Sequence, residues 1–144
     1  MAQNLKIYCD GGSRGNPGPA ASAFVVTEKG KVIGEGSNYL GTNTNNVAEY
    51  NSVLLAMIWL EKFSRKNKLS RVLFNLDSQL IQRQLTGVYK VKNQILKEYF
   101  TKIISLQNSF DFKVIFEWSY RDKNKLADEL VNVTLDKSLQ RETD

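Results

Sequence analysis

Four carboxylates stand at positions where an acid is unusual for its surroundings: Asp10, Glu49, Asp77 and Asp128. Asp10 and Asp77 end short strand-like segments (KIYCD and RVLFNLD), and Glu49 interrupts a long apolar run. Carboxylates that crowd together raise one another's pKa, and a hard divalent cation such as Mg²⁺, which prefers oxygen ligands, relieves that repulsion. Two such ions can hold the attacking and leaving oxygens of a phosphodiester displacement. The acids therefore predict metal-dependent phosphate chemistry, provided that the fold brings them together.

Each acid also has a simpler interpretation. Asp10 is a good residue to begin a turn, Glu49 would complement the positive end of a helix dipole, and Asp77 would belong to a capping pair with the residue that follows it. Asp128 would lie on an ordinary helix surface. The coincidence of the four favours a shared site, because neighbouring strands that end on acids place those acids side by side at one edge of a sheet.

The composition excludes several other kinds of site. The 144 residues contain no histidine, which rules out Ser–His–Asp catalysis, Cys–His catalysis and His-based zinc sites. The single cysteine, Cys9, excludes an internal disulfide and suits a reducing cytosol. The formal net charge of +5 fits either a polyanionic partner such as nucleic acid or a basic surface that maintains solubility. No segment resembles a secretory signal or reaches membrane-spanning length, so we expect a cytoplasmic protein with no membrane partner.

The apolar pattern predicts a single α/β domain over residues 1–144. Three strands come first, and strands then alternate with helices. This order implies a mixed five-stranded sheet, antiparallel in its first three strands, with helices on both faces. The predicted strands are Lys6–Asp10, Ala23–Thr27, Lys31–Tyr39, Arg71–Asp77 and Lys113–Trp118. The predicted helices are Asn45–Phe63 (capped by Thr44 or Asn45), a short one from Ser78 to Gly87, Val91–Ser109, and Asn124–Leu139 with Leu126, Leu130, Val133 and Leu135 as its apolar positions.

The segment GGSRGNPGPAA, directly after Asp10, contains four of the nine glycines and both prolines, which predicts a tight loop. It is neither a Walker loop nor a GxGxxG motif, and it leads into a strand rather than a helix. Its glycines would let the backbone approach a ligand beside Asp10, or they would serve a connection that has no function.

Four segments of the chain, in order, resemble the motifs of type 1 ribonuclease H. They are YCDGGSRGNPGPA (Tyr8–Ala20), TNTNNVAEYNSVLLA (Thr42–Ala56), LDSQLIQRQLTGVYKVKN (Leu76–Asn93) and RDKNKLADELVN (Arg121–Asn132). The resemblance extends from about residue 5 to the final helix and includes all four acids. It implies a ribonuclease H-like fold. It also implies endonucleolytic hydrolysis of the RNA strand of RNA–DNA hybrids, leaving 3′-hydroxyl and 5′-phosphate ends.

The resemblance also implies roles for the matching residues. Asp10 would bridge two Mg²⁺ ions, for which Mn²⁺ could substitute. Glu49 and Asp77 would complete one metal site and Asp128 the other, and a water molecule activated there would attack phosphorus. Residues that match contacts to the minor groove, where RNA displays its 2′-hydroxyls, are Asn16, Asn45, Asn46 and Gln79. Residues that match a pocket for a DNA-strand phosphate are Thr44 and Asn93; any of these polar residues would equally serve as a cap or turn residue.

The chain departs from the family pattern in two places. Many members carry a histidine in the loop before the last acid, and here Arg121 is the residue nearest that role. Some members insert a basic protrusion between the middle helices, whereas here only Gly87–Val91 links them. Contact with the hybrid would then depend on scattered cations such as Lys90 and Lys92, with Tyr89 available to stack on a sugar or base.

Two other functions remain open at this point: a DNA nuclease of the same superfamily, such as a resolvase- or transposase-like domain, and a non-catalytic hybrid-binding module. The asparagines and Gln79 favour the ribonuclease because they suit 2′-hydroxyl recognition, and the intact acid set disfavours a binding module. We interpret a further basic cluster as a solvated surface rather than the hybrid channel: Lys62, Arg65, Lys66, Lys68 and Arg71. The expected partner is an RNA–DNA hybrid, bound by a monomer.

Overall fold

The described part of the chain, residues 2–143 of a computed structural model, forms a five-stranded sheet with helices on both faces. The strands are β1 (Gln3–Ser13), β2 (Gly18–Glu28), β3 (Lys31–Asn43), β4 (Leu69–Leu76) and β5 (Lys113–Trp118). The helices are α1 (Asn45–Phe63), α2 (Gln79–Leu85), α3 (Gln94–Ser109) and α4 (Lys125–Thr143), with a 3₁₀ turn at Arg121–Lys123. No helix among these residues is both long and apolar enough to cross a bilayer.

The strand order is β3-β2-β1-β4-β5, which places β1 at the centre of the sheet. β1, β2 and β3 form an antiparallel meander, and β4 pairs parallel to both β1 and β5. The predicted mixed sheet is therefore confirmed, including the antiparallel order of its first three strands. Because β1 and β4 are parallel neighbours, their carboxyl ends meet at one edge of the sheet.

The two faces of the sheet are covered by different helices. The larger core lies under α1, α2 and α3, where side chains such as Ile7, Tyr50, Phe74 and Ile103 are fully buried. The smaller core lies under α4, where Val131 and Leu135 pack with alanines of β2. Helices on both faces are confirmed, and the site at the sheet edge lies between the ends of α1 and α4.

The predicted glycine loop is shorter in the structure than the sequence suggested. β1 continues through Ser13 and β2 begins at Gly18, so the connection is only residues 14–17 and Asp10 lies inside a strand rather than at its end. The glycines serve close packing: a Cβ on Gly11 would stand 2.2 Å from the backbone carbon of Ala48 in α1. The absence of a side chain at Gly11 therefore lets α1 lie directly against the strand that carries Asp10.

Side-chain caps explain where the helices begin. The hydroxyl of Thr44 accepts a hydrogen bond from the backbone of Val47 at the start of α1, and Ser78 caps α2 in the same way. The prediction that α3 begins at Val91 was wrong, because Asn93 caps the helix through Leu96 and α3 starts at Gln94.

The apolar face predicted for α4 was also partly wrong. Leu126 and Val133 are exposed, whereas Leu135 is buried as predicted and Leu130 packs against the smaller core. Ala127 and Val131, which were not predicted, are buried with Leu135. The buried stripe follows a spacing of four residues and begins with a small side chain. Small residues on β2 allow this close approach of helix and sheet, which a search for large apolar residues does not detect.

Candidate active site

Asp10 lies at the centre of the site because β1 is the central strand. Its neighbours Cys9 and Gly11 face the core under α1, so strand alternation directs Asp10 to the face that α4 covers. Only 4% of Asp10 is exposed, and its Oδ1 accepts a hydrogen bond from the backbone N–H of Gly11 at 2.9 Å. A charged side chain so deeply buried requires compensation from its surroundings.

Glu49 reaches the site because Gly11 lets α1 approach β1. The Cβ position of Gly11 is 2.4 Å from the backbone nitrogen of Glu49, so that nothing larger than glycine fits there. Glu49 is the fifth residue of α1 and lies beyond the first turn, which has no acid. The interpretation of Glu49 as an acid that complements the helix dipole is therefore wrong.

Asp77 follows the last residue of β4 directly. In the parallel register, Tyr8 of β1 lies beside Asn75 of β4, so Asp77 and Asp10 occupy equivalent places two residues further on. The Asp77 side chain is 4% exposed. Ser78, and not Asp77, supplies the cap of α2, so the carboxylate of Asp77 is not the group that caps the helix.

Asp128 is brought to Asp10 by the first turn of α4. Asn124 is fully buried just before this helix, and its Nδ2 donates to the carbonyl of Cys9 at 2.6 Å. The backbone carbonyl of Asn124 accepts from the backbone N–H of Asp128 at 3.0 Å. Asp128 is close enough to Asp10 to contribute to the raised pKa of that carboxyl group. Asn124 was missed as a site residue, because an asparagine at the start of a helix is most simply a cap.

The electrostatics of this cluster are unfavourable for negative charge. Burial, with the charges of Asp77 and Asp128, raises the pKa of Asp10 to about 8. Burial, with the charges of Asp77 and Asp10, raises the pKa of Glu49 to about 9. A cation at this place would stabilise the ionised carboxylates, and crowded oxygen donors of this kind suit a hard divalent ion.

Arg121 is a cation that the structure places beside these acids. Its Nε donates to Oδ2 of Asp77 at 3.3 Å, and the charge of Asp77 raises the pKa of Arg121. The Arg121 side chain is 74% exposed and thus remains accessible to a ligand. Within residues 2–143, no three acidic, histidine or cysteine side chains form a preassembled metal cage.

Asp10, Glu49 and Asp128 line one cleft at the carboxyl edge of the sheet, and Asp77 lies beside it in contact with Arg121. The cleft is also lined by Arg14, which sequence reasoning did not include among the site residues. Arg14 pairs with Asp136 of α4 at 2.7 Å and so links the β1–β2 connection to the last helix. The residues that line the cleft include Asp10, Gly11, Ser13, Asn45, Glu49, Arg121, Asp128 and Asn132.

Comparison with known proteins agrees with this geometry. A family model described as "Reverse transcriptase-like" matches residues 8–134. A solved structure of LC11-RNase H1 in complex with an RNA/DNA hybrid is 45% identical, covers 94% of this chain and 99% of its own, and superposes with a TM-score of 0.89. This chain belongs to the type 1 ribonuclease H family.

Two further relatives are similar to this chain over most of its length. Ribonuclease HI of Halobacterium salinarum is 36% identical over 92% of this chain, and its RNase H1 crystal structure superposes with a TM-score of 0.84 over 93% of this chain and 98% of its own. A bifunctional protein of Mycobacterium tuberculosis is 35% identical over 93% of this chain. This chain spans 64% and 36% of the length of these two curated relatives, respectively.

The ribonuclease H motif residues predicted to contact nucleic acid divide into two groups. Near the cleft, Asn45 accepts from the N–H and hydroxyl of Ser13, and its own N–H donates to Oδ1 of Asn16 at 3.0 Å. Asn46 follows on α1 and is exposed, and Gln79, also exposed, begins α2 just after the site. The structure therefore brings the candidate minor-groove residues to the sheet edge that carries the acids.

The second group consists of Thr44 and Asn93, at the starts of two helices, and Lys90, in the connection between α2 and α3. Thr44 and Asn93 both cap helices, which confirms the simpler interpretation of these residues without removing them from the surface. Lys90 is exposed in the connection between α2 and α3. None of these three lines the cleft described above. A phosphate pocket at Thr44 and Asn93 remains a prediction.

Proposed function

We propose that this protein is a metal-dependent endoribonuclease that hydrolyses the RNA strand of RNA–DNA hybrids and leaves 3′-hydroxyl and 5′-phosphate ends. One observation carries the proposal: separate elements bring Asp10, Glu49 and Asp128 to one cleft, and Asp77 lies beside it in contact with the cleft residue Arg121. This arrangement occurs in a chain of the ribonuclease H family whose relative LC11-RNase H1 is seen bound to an RNA/DNA hybrid. The proposal includes a monomer that needs no partner chain to complete the cleft.

The four carboxylates would hold two Mg²⁺ ions, with Mn²⁺ as a substitute. Asp10 would contact both ions because it lies between the other acids, Glu49 and Asp77 would complete one site, and Asp128 the other. When bound, the ions lower the pKa of coordinated water and stabilise negative charge on phosphate oxygens. The raised pKa values of Asp10 and Glu49 support this assignment, since an adjacent cation would stabilise the charged forms of both.

Arg121 would act on the phosphate and not on a proton. An arginine remains protonated at working pH, so it cannot serve as a general base. Its exposed guanidinium lies next to Asp77, where it can contact a phosphate oxygen of a bound strand and stabilise developing charge. This assigns to Arg121 the place of the loop histidine found in many family members.

Selection of RNA would depend on amides at the edge of the cleft. Asn16, Asn45, Asn46 and Gln79 can donate to and accept from ribose 2′-hydroxyls, which DNA lacks. Asn16 and Asn45 are held by hydrogen bonds to the protein backbone, so their positions are set before the substrate binds. Thr44 and Asn93 would contact a DNA-strand phosphate, and Lys90 would add a positive charge to the same surface.

The experiment that tests the proposal compares three duplexes of one sequence: an RNA–DNA hybrid, double-stranded RNA and double-stranded DNA, each end-labelled and incubated with Mg²⁺. The proposal expects cleavage of the RNA strand in the hybrid and none in DNA. Cleavage of pure DNA would show a superfamily DNA nuclease instead. Tight hybrid binding without cleavage would show a binding module.

A further inference from the structure

Two aromatic rings near the cleft are exposed and have no part in the mechanism above. Tyr120 is 70% and Trp118 37% exposed, although large aromatic side chains are usually covered. Their ring centroids are 5.1 Å apart with planes inclined at 59°, so the two rings contact each other. The pair therefore presents exposed aromatic surface next to the 3₁₀ turn that carries Arg121.

The backbone between the two rings is firmly anchored. Ser119 donates from its N–H to the carbonyl of Leu76 at 2.9 Å, which extends the β4–β5 ladder by one residue. Its hydroxyl donates to Oδ1 of Asn75 at 2.5 Å, and Asn75 is buried. The backbone that carries Trp118 and Tyr120 is therefore held in place, which suits a surface that binds a flat ligand.

The pair continues the face on which nucleic acid is expected. Val114 and Phe116 of β5 face the core under α2, and alternation places Trp118 on the same face. Gln82 donates to the carbonyl of Phe116 at 2.9 Å, which fixes α2 against β5. The first residue of α2 is Gln79, the candidate for 2′-hydroxyl recognition, so the strand that carries Trp118 is fixed to a helix proposed to contact RNA.

The pair is also close in the fold to Asp77 and Arg121. Trp118 is the register partner of Leu76, the residue before Asp77. Tyr120 directly precedes Arg121, whose Nε is 3.3 Å from Asp77. β5 is an edge strand, so no further strand separates the rings from a nucleic acid chain that leaves the cleft on this side.

We propose that Trp118 and Tyr120 form a stacking subsite for unpaired bases of single-stranded RNA that continues from the hybrid, so that the enzyme prefers hybrids with an RNA tail on one side of the cut. The inference rests on the proposed function. Bases inside a duplex have both faces covered by their neighbours, whereas unpaired bases offer a free face to aromatic side chains. The rings thus select a junction between hybrid and single strand rather than a base sequence.

The kinetic test uses a blunt hybrid and the same hybrid with a single-stranded RNA tail at either the 5′ or the 3′ end. The measured quantity is the ratio of kcat/KM for the tailed and blunt substrates. Base–aromatic stacking energies lead us to expect a ratio of about five or more for one tail polarity and close to one for the other. Equal ratios for both tails, or no tail effect, would overturn the proposal.

Variants connect the tail effect to the rings. Tyr120→Ala and the double variant Trp118→Ala/Tyr120→Ala should bring the ratio close to one, whereas Tyr120→Phe should keep it because the ring face remains. Val32→Ala, which removes an exposed apolar group from β3 at the opposite edge of the sheet, is the matched control and should keep it too. A tail effect that survives the double variant would contradict the assignment.

A binding measurement separates this inference from the proposed function. The chain has two tryptophans, so Trp59→Phe leaves Trp118 as the single reporter. In that background, with Asp10→Asn to prevent cleavage, a tailed hybrid should quench the fluorescence of Trp118 more strongly than a blunt one. Failure to cut the blunt hybrid would count against the proposed function alone. Equal quenching by tailed and blunt hybrids would count against the stacking subsite alone.

Discussion

The two ends of β4 carry opposite charge. At the carboxyl end, Asp77 lies near Asp10, at the border of the acidic cleft. At the amino end, Arg71 lies beside Lys113 of β5 in the sheet register. Residues 61–71 and 111–113 contain six basic and two acidic residues, which is four of the five net positive charges of the chain. The basic end is therefore remote from the acids, by roughly the 25 Å length of an eight-residue strand.

This difference shows that net charge does not locate the active site of the protein. The positive charge that suggests a polyanionic partner is concentrated at the opposite end of β4, whereas the cleft is lined by acids. An acidic cleft can receive a phosphate only if cations neutralise it. Arg121 and the proposed metal ions supply that charge at the cleft, where overall composition does not reveal it.

Removing the charge of Asp10 should have the largest effect. Asp10→Asn keeps the shape of the side chain but removes the carboxylate proposed to contact both ions, so cleavage should fall by at least about a thousandfold. Single-turnover cleavage of a labelled hybrid at saturating Mg²⁺ measures the loss, and a gel-shift assay should show that hybrid binding persists. Asp111→Asn, at the exposed basic end, is the control and should cleave like the parent. Equal rates for Asp10→Asn and the parent would remove Asp10 from the mechanism.

Arg121→Ala should have an intermediate effect. One electrostatic contact to the phosphate is lost while the carboxylates remain, so we expect turnover to fall about ten- to a hundredfold. Lys123→Ala, in the same 3₁₀ turn, serves as the matched control and should stay within twofold of the parent. Unchanged single-turnover and steady-state rates in Arg121→Ala would show that it is only a surface residue.

Thermal stability should depend on pH through the buried acids. The pKa of Asp10 rises from 3.8 to about 8 on folding, and that of Glu49 rises from 4.5 to about 9. At a pH between the unfolded and folded pKa values, the folded state therefore binds protons that the unfolded state has lost. Stability of the metal-free protein should therefore fall as pH rises from about 4 to 9, and Mg²⁺ should restore more of it at pH 8.5 than at pH 5.5.

The Asp10→Asn variant sharpens this pH prediction. Without the buried charge, its melting temperature in EDTA at pH 8.5 should exceed that of the parent by several degrees, and the gain from Mg²⁺ should shrink. Scanning calorimetry across this pH range provides the measurement, with Asp111→Asn as the control. If the metal-free stability of the parent protein rises from pH 5 to 9, the predicted direction of the pH dependence is wrong.

Neutralising the basic end should have the smallest effect. The variant Lys66→Gln/Lys68→Gln/Arg71→Gln should change hybrid affinity by less than about twofold and leave its salt dependence near that expected for three to five phosphate contacts. Lys90→Gln/Lys92→Gln, on the connection after α2, should instead lower the salt slope by about two. If the salt dependence of hybrid affinity falls in the triple variant, the hybrid contacts the basic end of β4, and the two ends have the opposite roles to those proposed.

The sequence alone predicted the sheet, its antiparallel first half and the acids of the cleft. The sheet prediction is confirmed because strand order and apolar period are local signals. The acids could be singled out because an acid within an apolar segment is conspicuous, and their role in catalysis stays a prediction. The extent of β1 beyond Asp10 could not be predicted, because a glycine-rich segment such as GGS is typical of a loop. Only the element that packs against it shows that it is a strand. That partner is the backbone of α1 at Ala48, to which no local pattern in β1 points.

The remaining site features depend on tertiary contacts. Asn124 holds α4 to the carbonyl of Cys9 across 115 residues, and Arg14 reaches Asp136 across a similar separation. Neither pairing has a signature in the residue types themselves. The Trp118–Tyr120 pair was likewise hidden, since the sequence shows two aromatic residues at strand spacing without showing that the core ends at Phe116.

The most direct test of the central claim is single-turnover cleavage of an RNA–DNA hybrid as the Mg²⁺ concentration is raised from zero in EDTA, with analysis of the product ends. The acidic cleft predicts no cleavage without the cation, a rate that rises and saturates with Mg²⁺, and RNA products that carry 5′-phosphate and 3′-hydroxyl ends. Cleavage that proceeds equally well in EDTA, or products that end in a 2′,3′-cyclic phosphate, would contradict it.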